Sequence, residues 1–163
     1  KKNKIDLDAD NIESLGRGNL IDQLYKKVSR PKIIRPTFLT KHPIDLSPLA
    51  RANDENPALT NRFQLIVNGQ EIINGYSEIV DSVEQQNRFL VQSKLKENGD
   101  EEAMSYDHEY IKAMVYGMPP ISGWGLGIDR FLQFLTNSCN IRDVVLYPLL
   151  KPRENVYEDD DEE

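Results

Sequence analysis

The chain has 163 residues, 39% hydrophobic and 29% charged, which is the make-up of one globular domain with a core rather than of a disordered or fibrous chain. No apolar run approaches a membrane span, the lysine-rich start lacks the apolar segment of a signal peptide, and the lone Cys139 excludes an internal disulfide and suits a reducing cytoplasm. A net charge of −7 excludes a phosphate-backbone binder built on clustered Lys and Arg. Seven of the acids lie in the tail from Arg153 onward (Glu154 and Glu158 to Glu163), so the body is near neutral and the tail reads as disordered.

Residues 1–17 are polar and aperiodic, a loop or a frayed helix. Leu20, Ile21, Leu24, Tyr25 and Val28 then predict an amphipathic helix that stops before Pro31. Ile33, Ile34, Thr37, Phe38 and Leu39 suit a strand over 33–40, which Pro36 confines to an edge or a bulge. Residues 41–57 are rich in turn formers. Arg62 to Val67 and Gln70 to Glu78 flank Asn68-Gly69, the strongest short signal for a two-residue hairpin turn. Ser82 with Gln85 resembles a capping box opening a helix to about Glu97, which Asn98-Gly99 closes. Asp107 can cap a second helix with Tyr110, Ile111, Met114 and Val115 on its buried stripe, ended by Gly117. Ile128, Phe131, Leu132 and Leu135 repeat at the spacing of one buried helix face, and Val144 to Tyr147 reads as a short buried strand. Hairpins with helices to one side predict an α+β fold, an antiparallel sheet flanked by helices. Cys139 reads as a small packing residue, and His42 and His108 as isolated surface or capping groups.

Two stretches carry chemistry. In the hairpin, Phe63, Leu65 and Val67 share one apolar face, while Gln64 and Ile66 share the other with Glu71 opposite Ile66. Glu71, Asn74, Tyr76 and Glu78 are unusual for strand positions, although incidental charges on a solvated face would look the same. Glu71 and Glu78 are seven apart and fall on opposite faces of a regular strand. They reach one site only if the pleat breaks between them, and Gly75 is the expected bulge. Further on, Gly123-Trp124-Gly125-Leu126-Gly127 is a strand bare enough for a flat ligand to lie on its backbone. It feeds a helix with Asp129 and Arg130 in the first turn, where the dipole and a guanidinium favour phosphate. A glycine-rich connector with a surface arginine remains the alternative on spacing alone.

Gly125-Leu126-Gly127-Ile128-Asp129-Arg130, Phe134-Leu135-Thr136, Ile141-Arg142-Asp143-Val144 and Tyr147-Pro148 resemble motif 3 of class II aminoacyl-tRNA synthetases. That resemblance implies that Arg130 grips the γ-phosphate of ATP and that Gly125 and Gly127 floor the adenine pocket. Thr60-Asn61-Arg62-Phe63, Glu71-Ile72 and Asn74-Gly75-Tyr76-Ser77-Glu78 are similar to the hairpin of the lysyl-tRNA synthetases, as are Pro36-Thr37-Phe38 and Ser47-Pro48-Leu49-Ala50. The aspartate and asparagine enzymes differ at Tyr76-Ser77-Glu78. The lysyl resemblance implies that Glu78 faces the lysine ε-ammonium, that Asn74 and Tyr76 shape the lysine pocket, that Ile72 lies with the ATP-binding residues, and that Glu71 binds Mg²⁺ bridging the ATP phosphates. The implied activity is ATP-dependent attachment of lysine to its tRNA through a lysyl-adenylate, in a cytoplasmic homodimer with no membrane association.

The resemblance covers about residues 18–152, so residues 1–152 are expected to form the C-terminal part of a class II catalytic domain and 153–163 an acidic tail. At the position of the family's first metal-binding glutamate stands Gln64, a weaker Mg²⁺ ligand, and the family's Glu-Leu-Asn-Asp is replaced by Glu78-Ile79-Val80-Asp81. Motif 1, the motif 2 arginine and the anticodon-binding barrel are not found, so the chain is expected to be a piece of the enzyme, inactive alone. A paralogous ligase that lysylates a protein, and a non-catalytic regulatory fragment, remain as alternatives.

Overall fold

The computed structural model describes residues 15–149, and two compact units divide the chain after Gly127. The sequence expectations for residues 1–14 and for the acidic tail lie outside the described residues. The first unit is built on a four-stranded antiparallel sheet in the order β1 (Thr37–Thr40), β2 (Arg62–Val67), β3 (Gln70–Ser77), β4 (Ser122–Leu126). Asn68 and Gly69 both have positive φ, 47° and 71°, which gives the hairpin turn whose twist matches its flanking strands. The carbonyls of Ile33 and Ile34 accept the N–H groups of Gly69 and Asn68. The chain thus runs beside the turn before Pro36, but β1 is shorter than the expected 33–40 because proline offers no ladder donor.

α1 (Arg17–Leu24) ends before Pro31 as expected, although the chain stays helical beyond it. It widens into a π turn at Tyr25–Ser29 and tightens into a 3₁₀ turn at Arg30–Lys32. Proline is tolerated there because it stands at the start of that last turn. Gly18 is buried against the Asp45 backbone, where an added Cβ would come within 2.6 Å of the Asp45 carbonyl oxygen. α2 (Ser82–Glu97) is capped by Asp81, whose carboxylate accepts the N–H groups of Val83 and Glu84. The expected capping box of Ser82 and Gln85 does not form. Gln85 is buried and its amide donates to the Pro48 carbonyl. α3 (His108–Val115) is capped by Asp107 as expected, and Gly99 and Gly117 follow their helices with positive φ. Phe89 of α2 is the largest fully buried side chain and meets Tyr106 and Tyr110 edge-on at 6.0 and 5.8 Å.

The second unit holds α4 (Ile128–Leu135) and a 3₁₀ turn at Ile141–Val144. The helix forms where periodicity places it, yet its apolar stripe is not buried: Ile128 is 64% and Leu135 59% exposed. One helix and one turn are too small to enclose such a stripe. The expected strand at Val144 to Tyr147 is likewise absent, with Leu146 and Tyr147 over nine-tenths exposed and no neighbouring strand to pair with among the described residues. Cys139 is exposed rather than packed.

Candidate functional site

One irregularity in the hairpin decides which side chains meet. Near the turn Ile66 stands opposite Glu71, but from Leu65 onward the partners are Ile73, Asn74, Gly75 and Tyr76, so the register skips Ile72. In a regular ladder Asn74 would oppose Phe63 and lie on the apolar face. The extra residue reverses the parity of all that follows. Arg62, Gln64, Glu71, Asn74 and Tyr76 thereby share one face, and Glu78 follows two residues on. The pleat breaks between the two glutamates as expected, but at Ile72 and not at Gly75. Gly75 is regularly paired, and a Cβ on it would lie 2.7 Å from the Trp124 Cβ and 2.9 Å from the Phe63 ring on the opposite face. Ile72 is buried, and its carbonyl accepts the Gly127 N–H at 2.9 Å.

β4 pairs Gly125 with Asn74 and Gly123 with Tyr76, so both glycines turn to the same face. A Cβ at Gly125 would meet no atom within 4 Å, whereas one at Gly123 would sit 3.5 Å from Glu78 Oε1. The glycines therefore leave an open floor beside the carboxylate, and Trp124 points the other way. The Glu78 backbone is fixed on both sides, by its N–H to the Ile121 carbonyl at 3.0 Å and by a bridge to Ala50. Burial raises the Glu78 carboxyl above the usual 4.5, and no cation pairs with it among the described residues. The Tyr76 phenol is raised by burial and then by the Glu78 charge, with Arg62 opposing.

Arg62 organises this face, and the sequence reading gave it no role. Its guanidinium donates to Asn74 Oδ1 at 3.0 Å, to the Leu46 carbonyl at 3.0 Å and to Ser47 Oγ at 2.9 Å. Asn74 is thus oriented through a group that also anchors the Ser47-Pro48-Leu49-Ala50 loop. Arg88 of α2 holds the same loop through the carbonyls of Ser47 and Ala50. The available signal was the register, which puts Arg62 diagonal to Asn74 only once the bulge is known. Tyr110 of α3 also belongs to this neighbourhood: its phenol is raised by burial, then by the charges of Glu78 and Tyr76.

At the turn end, Gln64 and Glu71 are joined by a hydrogen bond from the Gln64 amide nitrogen to Glu71 Oε2. The Gln64 amide oxygen lies 3.1 Å from His42 Nε2. His42, expected at the surface, is buried with 6% exposure, and desolvation lowers its pKa. His108, also expected to stand alone, packs against the Tyr106 ring at 4.3 Å. Among the described residues no group of three or more His, Cys, Asp or Glu could hold a metal ion. A nucleotide-borne Mg²⁺, which asks for only one or two carboxylates besides phosphate oxygens, fits the single acid Glu71. An ion held by protein side chains alone does not fit.

A cavity of about 300 Å³ opens beside Arg62, Gln64 and His42, closed on the other side by Asn19, Asp22 and Tyr25. A larger one of about 470 Å³, between the loop at Ile44 and Pro48 and α2, is lined by none of the predicted site residues: its Asp81 caps the helix and its Glu84 pairs with Arg88. In the second unit, Arg130 stands exposed in the first turn of α4 beside Asp129. No described helix is long and apolar enough to cross a membrane.

The family model for class II tRNA synthetases (D, K and N) matches residues 17–151. The lysine–tRNA ligase of Pelotomaculum thermopropionicum is 49% identical over 137 residues, covering 84% of this chain and 27% of that protein. The lysine–tRNA ligase of Azoarcus sp. is 46% identical over 151 residues, 93% of this chain and 30% of the relative, and that of Aliivibrio fischeri 46% over 136 residues, 83% and 27%. The chain spans less than a third of the length of these curated relatives. A match over nearly the whole described region, carried on an antiparallel sheet with flanking helices, leaves one assignment: the chain belongs to the class II tRNA synthetases of the aspartate, lysine and asparagine group.

Proposed function

We propose that this chain supplies the lysine- and ATP-binding face of a lysine–tRNA ligase. The observation that carries the reading is Glu78, a carboxylate raised by burial, without a cation among the described residues, and set over the bare Gly123 backbone. A partly desolvated carboxylate in that state favours an ammonium group, and the long apolar stem of lysine suits a floor without side chains. Aspartate or asparagine would bring a carboxylate or a neutral amide to the same point, and repulsion or lost charge pairing would reject them. Asn74 and Tyr76 orient the bound amino acid, Asn74 itself being held by Arg62.

On this reading Gly125, Gly127 and Ile72 receive the nucleotide, and Arg130 takes the γ-phosphate as a charge-assisted donor. Glu71 would hold a Mg²⁺ that enters with ATP, and the ion would neutralise phosphate charge there. The lysine carboxylate attacks the α-phosphorus, a C–O–P bond forms as the bond to pyrophosphate breaks, and the lysyl group then passes to the terminal ribose of tRNA(Lys). No protein nucleophile is needed, because positioning and charge stabilisation suffice. Residues 1–152 act as part of the catalytic domain and 153–163 as an acidic appendage. The assembly is a homodimer working in the cytoplasm.

The test is a chimera in which this chain replaces the matching segment of the P. thermopropionicum enzyme. Amino-acid-dependent exchange of labelled pyrophosphate into ATP is expected with lysine and at background with aspartate and asparagine. Exchange driven by either of the latter would contradict the reading.

A further inference from the structure

Gln64 has one atom able to ligate a cation, its amide oxygen, and the structure shows where that atom is engaged. A carboxylate only accepts hydrogen bonds, so the group facing Glu71 Oε2 must be the amide nitrogen. The amide oxygen then faces His42 Nε2 at 3.1 Å, and that nitrogen must carry the hydrogen. His42 Nδ1 is left as a bare acceptor, and it is among the buried side-chain atoms with no hydrogen-bond partner. The three groups form a directed chain in which Nε2–H of His42 donates to the Gln64 oxygen and the Gln64 nitrogen donates to Glu71. His42 and Gln64 are 6% and 9% exposed, so the bond between them is buried, while the bond from Gln64 to Glu71 is part-buried.

We infer that Gln64 is a clasp and not a metal ligand: it ties the Glu71 carboxylate to the buried ring of His42, making His42 a positioning residue for Glu71. The role of Glu71 toward a divalent cation rests on the function proposed above, whereas the clasp rests on the hydrogen bonds alone. His42 is itself fixed, because its backbone carbonyl accepts both the N–H and the hydroxyl of the fully buried Thr60, at 2.8 and 3.1 Å. The chain of bonds therefore runs from a rigid loop to a carboxylate on β3. With a neutral amide at position 64, this end of the face presents one acid to a cation, and an ion shared between positions 64 and 71 is not held.

The test uses the whole chain labelled with ¹⁵N-histidine. It has only two histidines, so a His108→Gln variant assigns the His42 ring. The expected result is a neutral His42 with its proton on Nε2, protected from exchange with water, and loss of that protection in Gln64→Leu. A proton on Nδ1, rapid exchange in the unmodified chain, or an unchanged signal in Gln64→Leu would overturn the clasp. A parallel titration with Mn²⁺ alone, followed by its paramagnetic resonance, compares the unmodified chain with Gln64→Glu. The variant is expected to bind Mn²⁺ about tenfold more tightly or better, because a second carboxylate then faces the dication. Equal binding by the two, whether tight or absent, would overturn the inference that the amide removes a shared ion. Neither measurement uses lysine or ATP, so failure of the clasp and failure of the proposed activity are separate results.

Discussion

The hairpin face and the helix α4 carry the two halves of the same sequence resemblance, yet they stand very differently. The hairpin face is complete within its unit: a bulge at Ile72 sets its parity, Arg62 orients Asn74, and β4 adds its glycine floor. α4 is formed and correctly placed in sequence, but its apolar stripe is exposed, with Phe131 and Leu132 at 37% and 38% and Ile128 and Leu135 higher. A strand face is specified by its immediate ladder partners, and these lie within the chain. A helix stripe needs a facing layer from elsewhere, and its own unit offers none. Chemistry that depends on hairpin register is therefore settled locally, while chemistry at the start of α4 waits on what covers the helix.

The largest expected effect lies on the α4 side. In the chimera, Arg130→Ala should reduce ATP-dependent exchange by about 2–4 kcal/mol of transition-state stabilisation, the usual loss for a charge-assisted contact to a reacting group. It should leave lysine KM nearly unchanged. A variant with unaltered ATP kinetics would remove Arg130 from the site. On the hairpin side, Gly75→Val should destabilise the first unit by about 1–3 kcal/mol or more, since overpacking against Trp124 and Phe63 has no room to relax. Denaturant unfolding measures it, and a variant as stable as the parent would show that the close approach of β3 and β4 is wrong.

A smaller effect follows from the raised carboxyl of Glu78. Its folded pKa is above the ordinary 4.5, so the folded chain holds that proton more tightly than the unfolded chain does. Stability from this group is then present below the unfolded pKa and declines as pH rises through the folded value. Glu78→Gln should match the parent in acid and become the more stable of the two above that window. Parallel melting curves across pH check this, and a parent that outperforms the variant at neutral pH would reverse the assigned direction. The smallest effect belongs again to α4: Leu135→Gln should change the stability of this chain by less than about 0.5 kcal/mol, as at other exposed positions. A loss of several times that size would mean the stripe is covered after all.

Much of this was legible in the residues, for reasons that differ by element. Asn68-Gly69 fixes its turn by backbone sterics alone, and Asp107 caps α3 through its own side chain, so both are read correctly from a few neighbours. The bulge needed for Glu71 and Glu78 follows from parity, but its position does not, because Gly75 marks the close approach of Phe63 and Trp124 instead. Burial of His42 depends on Thr60 and on Gln64 of β2, 18 and 22 residues away, and no local pattern reports it. The same limit hid Arg62, whose partners are twelve residues away at Asn74 and fifteen and sixteen away in the loop. The missing strand at Val144 to Tyr147 is the counterpart: the apolar run is present, but a strand exists only as half of a pair.

The central claim is that Glu78 recognises the lysine ammonium, and steady-state kinetics of the chimera test it most directly. Glu78→Gln keeps the shape and removes the counter-charge, so KM for lysine is expected to rise by about tenfold or more while KM for ATP holds. An unchanged lysine KM, or a variant that activates another amino acid as well as the parent activates lysine, would contradict the account.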